Sequence, residues 1–372
     1  MISYWAFPTR VVFGPGARAK LGEEVARLGL SRPLVVTDAG VRAAGVLDEA
    51  LGAAGSGWPV FDAVSANPVG DEVHAGAALY RSERCDGVVA VGGGAPMDVG
   101  KLVRLAVTHD RPLQEFDDAI GGGDLVRGPL PALVCIPTTS GTGSEVGRSG
   151  VVTLPETGRK TVIFAPPLLA AVAICDPELT VGLPARPTAA TGMDALTHGI
   201  ESYLSVGRHP MADAIALECV RLVARSLRRA VTNGRDLDAR SDMMAAAMMG
   251  AVAFQKGLGV CHALAHPLSS VAGLHHGLAN ALMLPHALRF NASAVPERMA
   301  DVAQALGMGP DAAVAVEKFR SDVGLPDRLT ACGVTPALLD ALADGAQSDG
   351  CLAGNPRPAT REELRAMYEG AM

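Results

Sequence analysis

Continuous apolar runs in the first half of the chain restrict its fold more than any other sequence feature. PLVV, VVAV and ALVCI lack the polar alternation of a strand with one face in water, and each is followed by turn residues. Strands that are apolar on both faces are typical of parallel sheets covered by helices on each side. Helical patterns such as VRAAGVLDEALGAAG lie between the runs. The alternation predicts an α/β domain with a mainly parallel sheet in residues 1–183 and ligand sites at the carboxyl ends of its strands.

The pattern changes near residue 183, at GLPARPTAATG, after which no convincing strand follows. The length of 372 residues and the hydrophobic content of 49% are sufficient for a second core. We therefore predict an all-α domain at 184–372, whose last helix begins with a capping box formed by Thr360 and Glu363. The earlier helices of this domain are predicted at 188–205, 210–230, 238–255, 260–272, 277–290 and 295–306.

The helical half contains a constellation typical of a metal site. His262 and His266 are four residues apart, so a helix projects them from one face at a separation of ~6 Å. Asp194 and His198 repeat this spacing, and His276 follows ten residues after His266. A single histidine in such a helix is more often a hydrogen-bonded core residue. Several imidazoles and a carboxylate buried together are costly without a partner, so the set predicts a divalent metal site.

Two loops that follow predicted strands are suited to a dinucleotide. Gly93 and Gly94 join a strand to a helix, where bare backbone N–H groups can approach a diphosphate. PTTSGTGSEV, residues 137–146, offers hydroxyl groups and two glycines after the next strand. Either loop is also compatible with a purely structural turn or cap. Asp38 closes an earlier strand, and its carboxylate would bind an adenosine ribose and repel a 2′-phosphate, which favours NAD over NADP, although aspartate is also an ordinary helix cap.

Five stretches in order along the chain resemble the iron-containing, or group III, alcohol dehydrogenases: GGGAPMDVGK, PTTSGTGSEV, DALTHGIESY, GLGVCHALAHPL and HHGLANALMLPH. The resemblance implies an α/β nucleotide-binding domain followed by an all-α metal-binding domain, an architecture shared with dehydroquinate synthase. It implies that His266 lies beside the ion as a catalytic or proton-relay group. The metal ligands that it implies are Asp194, His198, His262 and His276.

The resemblance also implies the residues that contact the dinucleotide. Ala95 stands where the family usually has serine, which removes a hydroxyl but leaves the backbone donor. Gly93 and Asp38 are already indicated by their positions after strands. The resemblance adds residues in the two loops, in SANPV and in GRKTVIF: Gly94, Ala95, Pro96, Met97, Asp98, Thr138, Thr139, Thr142, Lys160 and Asn67.

These features together predict an NAD-dependent and metal-dependent alcohol dehydrogenase or aldehyde reductase. An ion held by three neutral imidazoles and one carboxylate keeps positive charge and can polarise a carbonyl, while nicotinamide exchanges the hydride. The ligand set suits several transition metals, and the family name favours Fe(II), with Zn(II) as the second choice. The alternative is a metal- and NAD-dependent lyase of the dehydroquinate synthase type. A non-enzymatic metal-binding module is disfavoured by the two nucleotide-type loops.

The substrate leaves the weakest signature in the sequence. Arg148 follows the second loop, and Lys256 precedes the predicted helix of His262. Family members that act on simple alcohols often carry a serine–asparagine type sequence where this chain has Gln255 and Lys256. A cation that faces a cleft favours an anionic group, although most lysines are solvated surface charges. We expect a small alcohol or aldehyde with an anionic tail, such as a semialdehyde carboxylate or a phosphonate- or sulfonate-bearing aldehyde.

Charge and composition bear on partners and compartment. The net charge of −7, without a basic cluster, argues against nucleic acid and anionic membranes as partners, and no apolar run reaches transmembrane length. Seven cysteines occur without a CxxC pair, which is typical of reduced thiols in a cytoplasmic protein. The segment YWAFPTRVVFG is apolar and would form an exposed sheet edge. Because the family often pairs through its N-terminal strands, we expect a homodimer.

Overall fold

A computed structural model describes residues 7, 9–156 and 158–372. The chain divides into two compact units. The first contains residues 9–139 and Gly143–Val181, and the second contains Phe7, Ser140–Thr142 and Gly182–Met372. The principal change of unit, after Val181, therefore lies two residues before the boundary expected after residue 183. The short return of Ser140–Thr142 to the second unit was not expected from the sequence.

The first unit is built on a six-stranded sheet in which all pairings are parallel. Its strands and those of a separate hairpin are β1 (Arg10–Phe13), β2 (Leu34–Val36), β3 (Val60–Phe61), β4 (Gly87–Gly92), β5 (Ala132–Pro137), β6 (Ser149–Leu154), β7 (Arg159–Phe164) and β8 (Val172–Cys175). The order in the large sheet is β1-β8-β5-β4-β2-β3. β6 and β7 form an antiparallel hairpin that the sequence analysis did not predict.

Helices cover both faces of this sheet, so successive residues of one strand enter different cores. In β4, Val88 and Ala90 lie in one apolar cluster, whereas Val89 and Val91 lie in another. The two-residue period explains why an entirely apolar strand is required. VRAAGVLDEALGAAG forms two helices instead of one, because Gly45 adopts a φ of 74° between them. The helices are α1 (Leu21–Arg27), α2 (Ala39–Ala43), α3 (Val46–Leu51), α4 (Gly70–Ser82) and α5 (Gly94–Thr108).

The second unit is helical and is organised around one apolar core. Among the described residues after Cys175 there is no strand. Its helices are α6 (Ala185–Leu204), α7 (Pro210–Thr232), α8 (Leu237–Ala253), α9 (Val260–Ser270), α10 (His276–Asn291), α11 (Pro296–Leu306), α12 (Ala312–Asp322), α13 (Leu339–Gln347) and α14 (Arg361–Gly370). Thr360 and Glu363 form the predicted capping box at the start of α14. The predicted fold class, α/β followed by all-α, is confirmed.

None of the described helices is by itself long and apolar enough to cross a bilayer. The consecutive segments Leu237–Lys256 and Val260–Ser270 reach the required length only together, and the chain bends by 111° between them.

Candidate metal centre and nucleotide loops

Helices α6, α9 and α10 bring three of the four expected metal ligands together. Asp194 lies on α6, His262 on α9, and His276 is the first residue of α10. One ligand atom from each of these three residues lies within 4.8 Å of the other two. Oδ1 of Asp194 is 3.5 Å from Nε2 of His276. Ligands bound at ~2.1 Å from one ion are roughly 3–4 Å apart, so the spacing suits a shared cation.

His198, the fourth expected ligand, lies directly beside this group of three. Its ring stacks on that of His262, with centroids 4.7 Å apart and planes inclined by 19°. Burial is the main cause that lowers the pKa of His198, to about 4, so its imidazole is neutral at physiological pH. Neutral imidazole is the form that binds a metal.

Asn280 is a further member of the centre that the sequence analysis missed. Its side chain is completely buried on α10, one turn after His276. The amide nitrogen donates to Oδ1 of Asp194 at 2.7 Å and lies 3.2 Å from Nε2 of His276 and 3.4 Å from Nε2 of His262. A carboxylate oxygen and two imidazole nitrogens thus converge on one buried NH2 group, which has only two protons to donate, and a cation would satisfy all three atoms. The residues present therefore fit a metal ion.

Glu201 supports the centre from the outer side of His262. Oε2 of this α6 residue is 2.6 Å from Nδ1 of His262. Burial lowers the pKa of His262, but the hydrogen bond and the charge of Glu201 outweigh burial, and the pKa is raised. A carboxylate that binds the outer nitrogen of a ligand imidazole is a common second partner in metal sites. The i,i+4 spacing of Asp194 and His198 indicated a site on α6, but it does not indicate that Glu201 contacts His262 on another helix.

His266 lies next to the proposed ligands, in the position expected for it. Its ring stacks on that of His276, with centroids 5.4 Å apart. Nδ1 of His266 is 2.7 Å from Oδ2 of Asp349, and the other oxygen of Asp349 accepts the backbone N–H of Cys351 at 2.9 Å. Burial raises the pKa of Asp349, but His266 and the hydrogen bonds bring it down to about 2. An ionised carboxylate thus orients His266.

The glycine loop after β4 has the geometry required of a phosphate-binding turn. α5 begins at Gly94, and its N-cap, Gly93, has no side chain to occupy the first backbone N–H groups. Gly92 has a φ of 149°, and a Cβ at this position would lie 2.6 Å from Cγ of Pro96. Glycine is therefore required at position 92 for both conformation and space.

The threonine loop lies alongside the glycine loop because β4 and β5 are neighbours in the sheet. The backbone N–H of Thr138 donates to the carbonyl of Gly92 at 2.9 Å. Oγ1 of Thr139 lies 3.4 Å from the position that a Cβ on Gly93 would take. Thr142 belongs instead to the segment that joins the helical unit. The dinucleotide contacts expected of these threonines stay a prediction.

The position of Asp38 is compatible with both roles considered for it. Oδ1 accepts the backbone N–H of Val41 at 2.9 Å and caps α2. Oδ2 lies 3.4 Å from the position of a Cβ on Gly92, so the carboxylate borders the glycine loop. The cap is therefore compatible with a place beside a bound ribose.

Two of the expected dinucleotide-binding positions have side chains that bind or pack within the first unit, and their contacts to the dinucleotide stay a prediction. The carboxylate of Asp98 accepts a hydrogen bond from Oγ of Ser144 at 2.6 Å and from the backbone N–H of Val151 at 3.2 Å, so it stabilises the loop. The side chain of Met97 is buried in an apolar cluster, with 1% exposure. Of two other expected residues, Lys160 is half-buried in β7 and Asn67 is exposed before α4.

The structure also argues against the expected substrate contact of Lys256. Its side chain is fully buried, and Nζ donates to the carbonyl of Tyr203 at 2.8 Å and to Oδ1 of Asp213 at 2.5 Å. The charge is thus compensated inside the helical unit. Arg148 differs, because its guanidinium lies over the ring of Phe164 at 5.1 Å and, among the described residues, has no carboxylate in ion-pair distance.

The fold and the site are typical of a metal-dependent dehydrogenase with a bound dinucleotide, and sequence comparison identifies the family. Residues 8–177 match the family model for iron-containing alcohol dehydrogenase, and residues 188–372 match the C-terminal model of the same family. The chain is 43% identical over 369 residues to a 4-hydroxybutyrate dehydrogenase of Cupriavidus necator, with 96% of each chain covered. The chain therefore belongs to the iron-containing alcohol dehydrogenase family, and it is an alcohol dehydrogenase, as its motifs predicted.

Solved structures agree with this assignment. A 1,3-propanediol oxidoreductase superposes with a TM-score of 0.95 at 39% identity, covering 100% of both chains. A sulfoacetaldehyde reductase of Bifidobacterium kashiwanohense in complex with NAD+ has a TM-score of 0.89 at 30% identity, covering 100% of this chain and 99% of the other.

Proposed function

We propose that the protein is an NAD(H)-dependent dehydrogenase that interconverts a small primary alcohol and its aldehyde, with Fe(II) held by Asp194, His198, His262 and His276. The convergence of Asp194, His262 and His276 within 4.8 Å is the observation that carries this proposal. NAD is supported by the NAD+ complex of the sulfoacetaldehyde reductase that the chain resembles. Fe(II) is supported by the family, and Zn(II) is the second candidate because the same donors suit both ions.

The residues of the site have separable tasks in the reaction R–CH2–OH + NAD+ → R–CHO + NADH + H+. Asp194, His198, His262 and His276 would hold the ion, which would act as a Lewis acid toward the substrate oxygen. His266 offers Nε2 for the proton that leaves the hydroxyl, since Asp349 holds its Nδ1. The backbone N–H groups at the start of α5 bind the diphosphate.

We further propose that the substrate carries an anionic tail, as in a short ω-hydroxy acid and its semialdehyde. The similarity to a 4-hydroxybutyrate dehydrogenase and to a sulfoacetaldehyde reductase supports this class. Arg148 supports it as well, because this half-buried arginine has no carboxylate partner in the part of the chain that the structure describes and can bind an anion at little cost. The similarity to a 1,3-propanediol oxidoreductase favours a neutral diol as the competing substrate.

Matched aldehydes test the substrate class. We expect NADH oxidation to show a higher kcat/KM with succinic semialdehyde than with butanal, and we expect Arg148→Met to reduce this preference about tenfold or more while Arg148→Lys retains part of it. A wild-type enzyme that prefers butanal or 3-hydroxypropanal would eliminate the anionic tail and leave the dehydrogenase assignment intact. Net consumption of NADH with any aldehyde separates this function from the lyase alternative.

We also propose that the protein forms a homodimer through β1. Within the described ranges, this strand is the last in the sheet order and pairs with β8 alone. Val11 and Phe13 of β1 are 36% and 44% exposed, an apolar edge that a second copy would cover. Light scattering should give twice the chain mass of 38.1 kDa, and Val11→Lys should lower it; a monomeric wild type at working concentration contradicts the proposal.

A further inference from the structure

We propose that Glu201 is a positioning residue that fixes the tautomer of His262 and thereby makes Nε2 of His262 available to the metal. The inference rests on the metal site proposed above and assigns a task to a residue outside the ligand set. Glu201 and His262 are 4% and 1% exposed, so water does not compete for their polar atoms.

The two ring nitrogens of His262 face groups of opposite hydrogen-bonding character. Nδ1 lies 2.6 Å from Oε2 of Glu201, and an ionised carboxylate can only accept, so Nδ1 carries the proton. Nε2 lies 3.4 Å from the amide nitrogen of Asn280, which is a donor. The orientation of that amide follows from its 2.7 Å bond to the carboxylate of Asp194. The contact with Glu201 therefore selects the tautomer with a lone pair on Nε2, the form that binds a metal through this atom, and the Asn280 amide is compatible with that tautomer.

Glu201 also holds the backbone that carries this imidazole. Oε1 accepts the N–H of Cys261 at 2.6 Å, and Oε2 accepts the N–H of His262 at 3.2 Å. The preceding N–H, of Val260, donates to Oδ1 of Asn355 at 3.0 Å. These side chains replace the cap that Gly259 lacks, and a Cβ on Gly259 would lie 2.7 Å from Asn355 and 2.9 Å from Glu201. One carboxylate thus fixes both the main chain and the ring of a single proposed ligand.

If Glu201 were only a helix cap, Glu201→Gln would leave the metal affinity almost unchanged. The glutamine oxygen can still accept the N–H of Cys261, so most of the cap survives. The glutamine NH2 group, however, would face Nδ1 of His262 as a donor. That contact favours the opposite tautomer, in which Nε2 carries the proton and cannot bind the ion.

Metal affinity is the first test. Metal-free wild type, Glu201→Gln and Glu201→Asp should be titrated with Co(II) against a chelating dye, and their thermal midpoints should be recorded without metal. We expect Glu201→Gln to bind Co(II) roughly 10–100-fold more weakly than wild type, while Glu201→Asp, which keeps an acceptor-only group, loses less. Asn355→Ala, which removes a cap of the same helix without facing the ring, should lower the thermal midpoint more than the affinity. Affinity of Glu201→Gln within threefold of wild type overturns the proposal.

The second test needs no glutamate variant. In metal-free wild type labelled with 15N-histidine, at a pH high enough for His262 to be neutral, its signals, assigned from their loss in His262→Gln, should show a protonated Nδ1 and an unprotonated Nε2. The opposite tautomer refutes the proposal even if Glu201→Gln does not fold. A wild type that binds no Co(II) would instead reject the metal site itself, so the two failures are distinguishable.

Discussion

Lys256→Met separates a structural role of this lysine from the substrate role that its sequence position indicated. Methionine keeps most of the buried stem and removes only the ammonium group. In the structure, that group binds the carbonyl of Tyr203 and the carboxylate of Asp213, and the side chain of Lys256 has no exposed surface. The substitution therefore removes one partner of a buried ion pair and leaves the carbonyl without this donor.

The magnitude follows from what remains around Asp213. Removal of one partner from a fully buried pair costs about 3–5 kcal/mol. Asp213, however, is 21% exposed and keeps a second ion pair with Arg298 at 3.1 Å. We therefore expect a loss of about 2 kcal/mol in the free energy of unfolding, below the range for a fully buried pair. For a unit of this size, that loss lowers the thermal midpoint by roughly 4–8 °C.

Thermal denaturation and steady-state kinetics measure the two roles in one preparation. Lys318→Met is the matched control, because Lys318 is 64% exposed in an i,i+4 pair with Asp322 on α12 of the same unit. The control should change stability by less than about 0.5 kcal/mol. Both variants should keep the wild-type ratio of kcat/KM for anionic and neutral aldehydes. An unchanged midpoint for Lys256→Met together with a lost preference for anionic aldehydes would refute the structural role and restore the substrate role.

Two further predictions concern the metal ligands and the cofactor. His262→Ala and His276→Ala should lose the metal and the activity together, whereas His266→Ala should retain the metal and lose turnover, because His266 lies beside the group of converging ligand atoms. Elemental analysis measures the metal content of the three variants, and kinetic assays measure their activity. Equal metal loss in all three variants would show that His266 is a ligand. Asp38→Gly should raise the use of NADPH relative to NADH, because the repelling carboxylate is removed, and should cost only about 0.3 kcal/mol of stability, because glycine is itself tolerated at the N-cap of α2. An unchanged NADPH/NADH ratio of kcat/KM, with only the stability loss, would show that Asp38 is a cap alone.

The parts of the fold and site that produce a local sequence pattern, such as an apolar run or an i,i+4 spacing, could be predicted from the sequence. Continuous apolar runs predicted the buried parallel strands, since only strands covered on both faces lack polar alternation. The i,i+4 spacing of Asp194 with His198 and of His262 with His266 predicted two faces of a metal site. The residues that match the family motifs indicated the remaining proposed ligand, His276, and the two loops.

The parts that depend on distant partners could not be predicted. Asp349 orients His266 from 83 residues away, and Glu201 binds His262 across 61 residues, so no local spacing indicates either contact. The same reason explains the wrong expectation for Lys256. A lysine beside a ligand helix suggests a free charge, but Asp213, 43 residues earlier, compensates it. The position of Lys256 in the sequence shows which residues are near it along the chain, but it does not show that Asp213 is buried next to its ammonium group.

The central claim is that a transition metal held by the helical unit is required for NADH-dependent reduction of an aldehyde. The most direct measurement is metal analysis of protein purified without oxygen, combined with NADH oxidation assays before and after removal of the metal by a chelator. We expect about one Fe(II) per chain, loss of activity with the metal, and recovery on addition of Fe(II), with His262→Ala as a control that does not recover. A protein that is fully active and free of any transition metal would contradict the account.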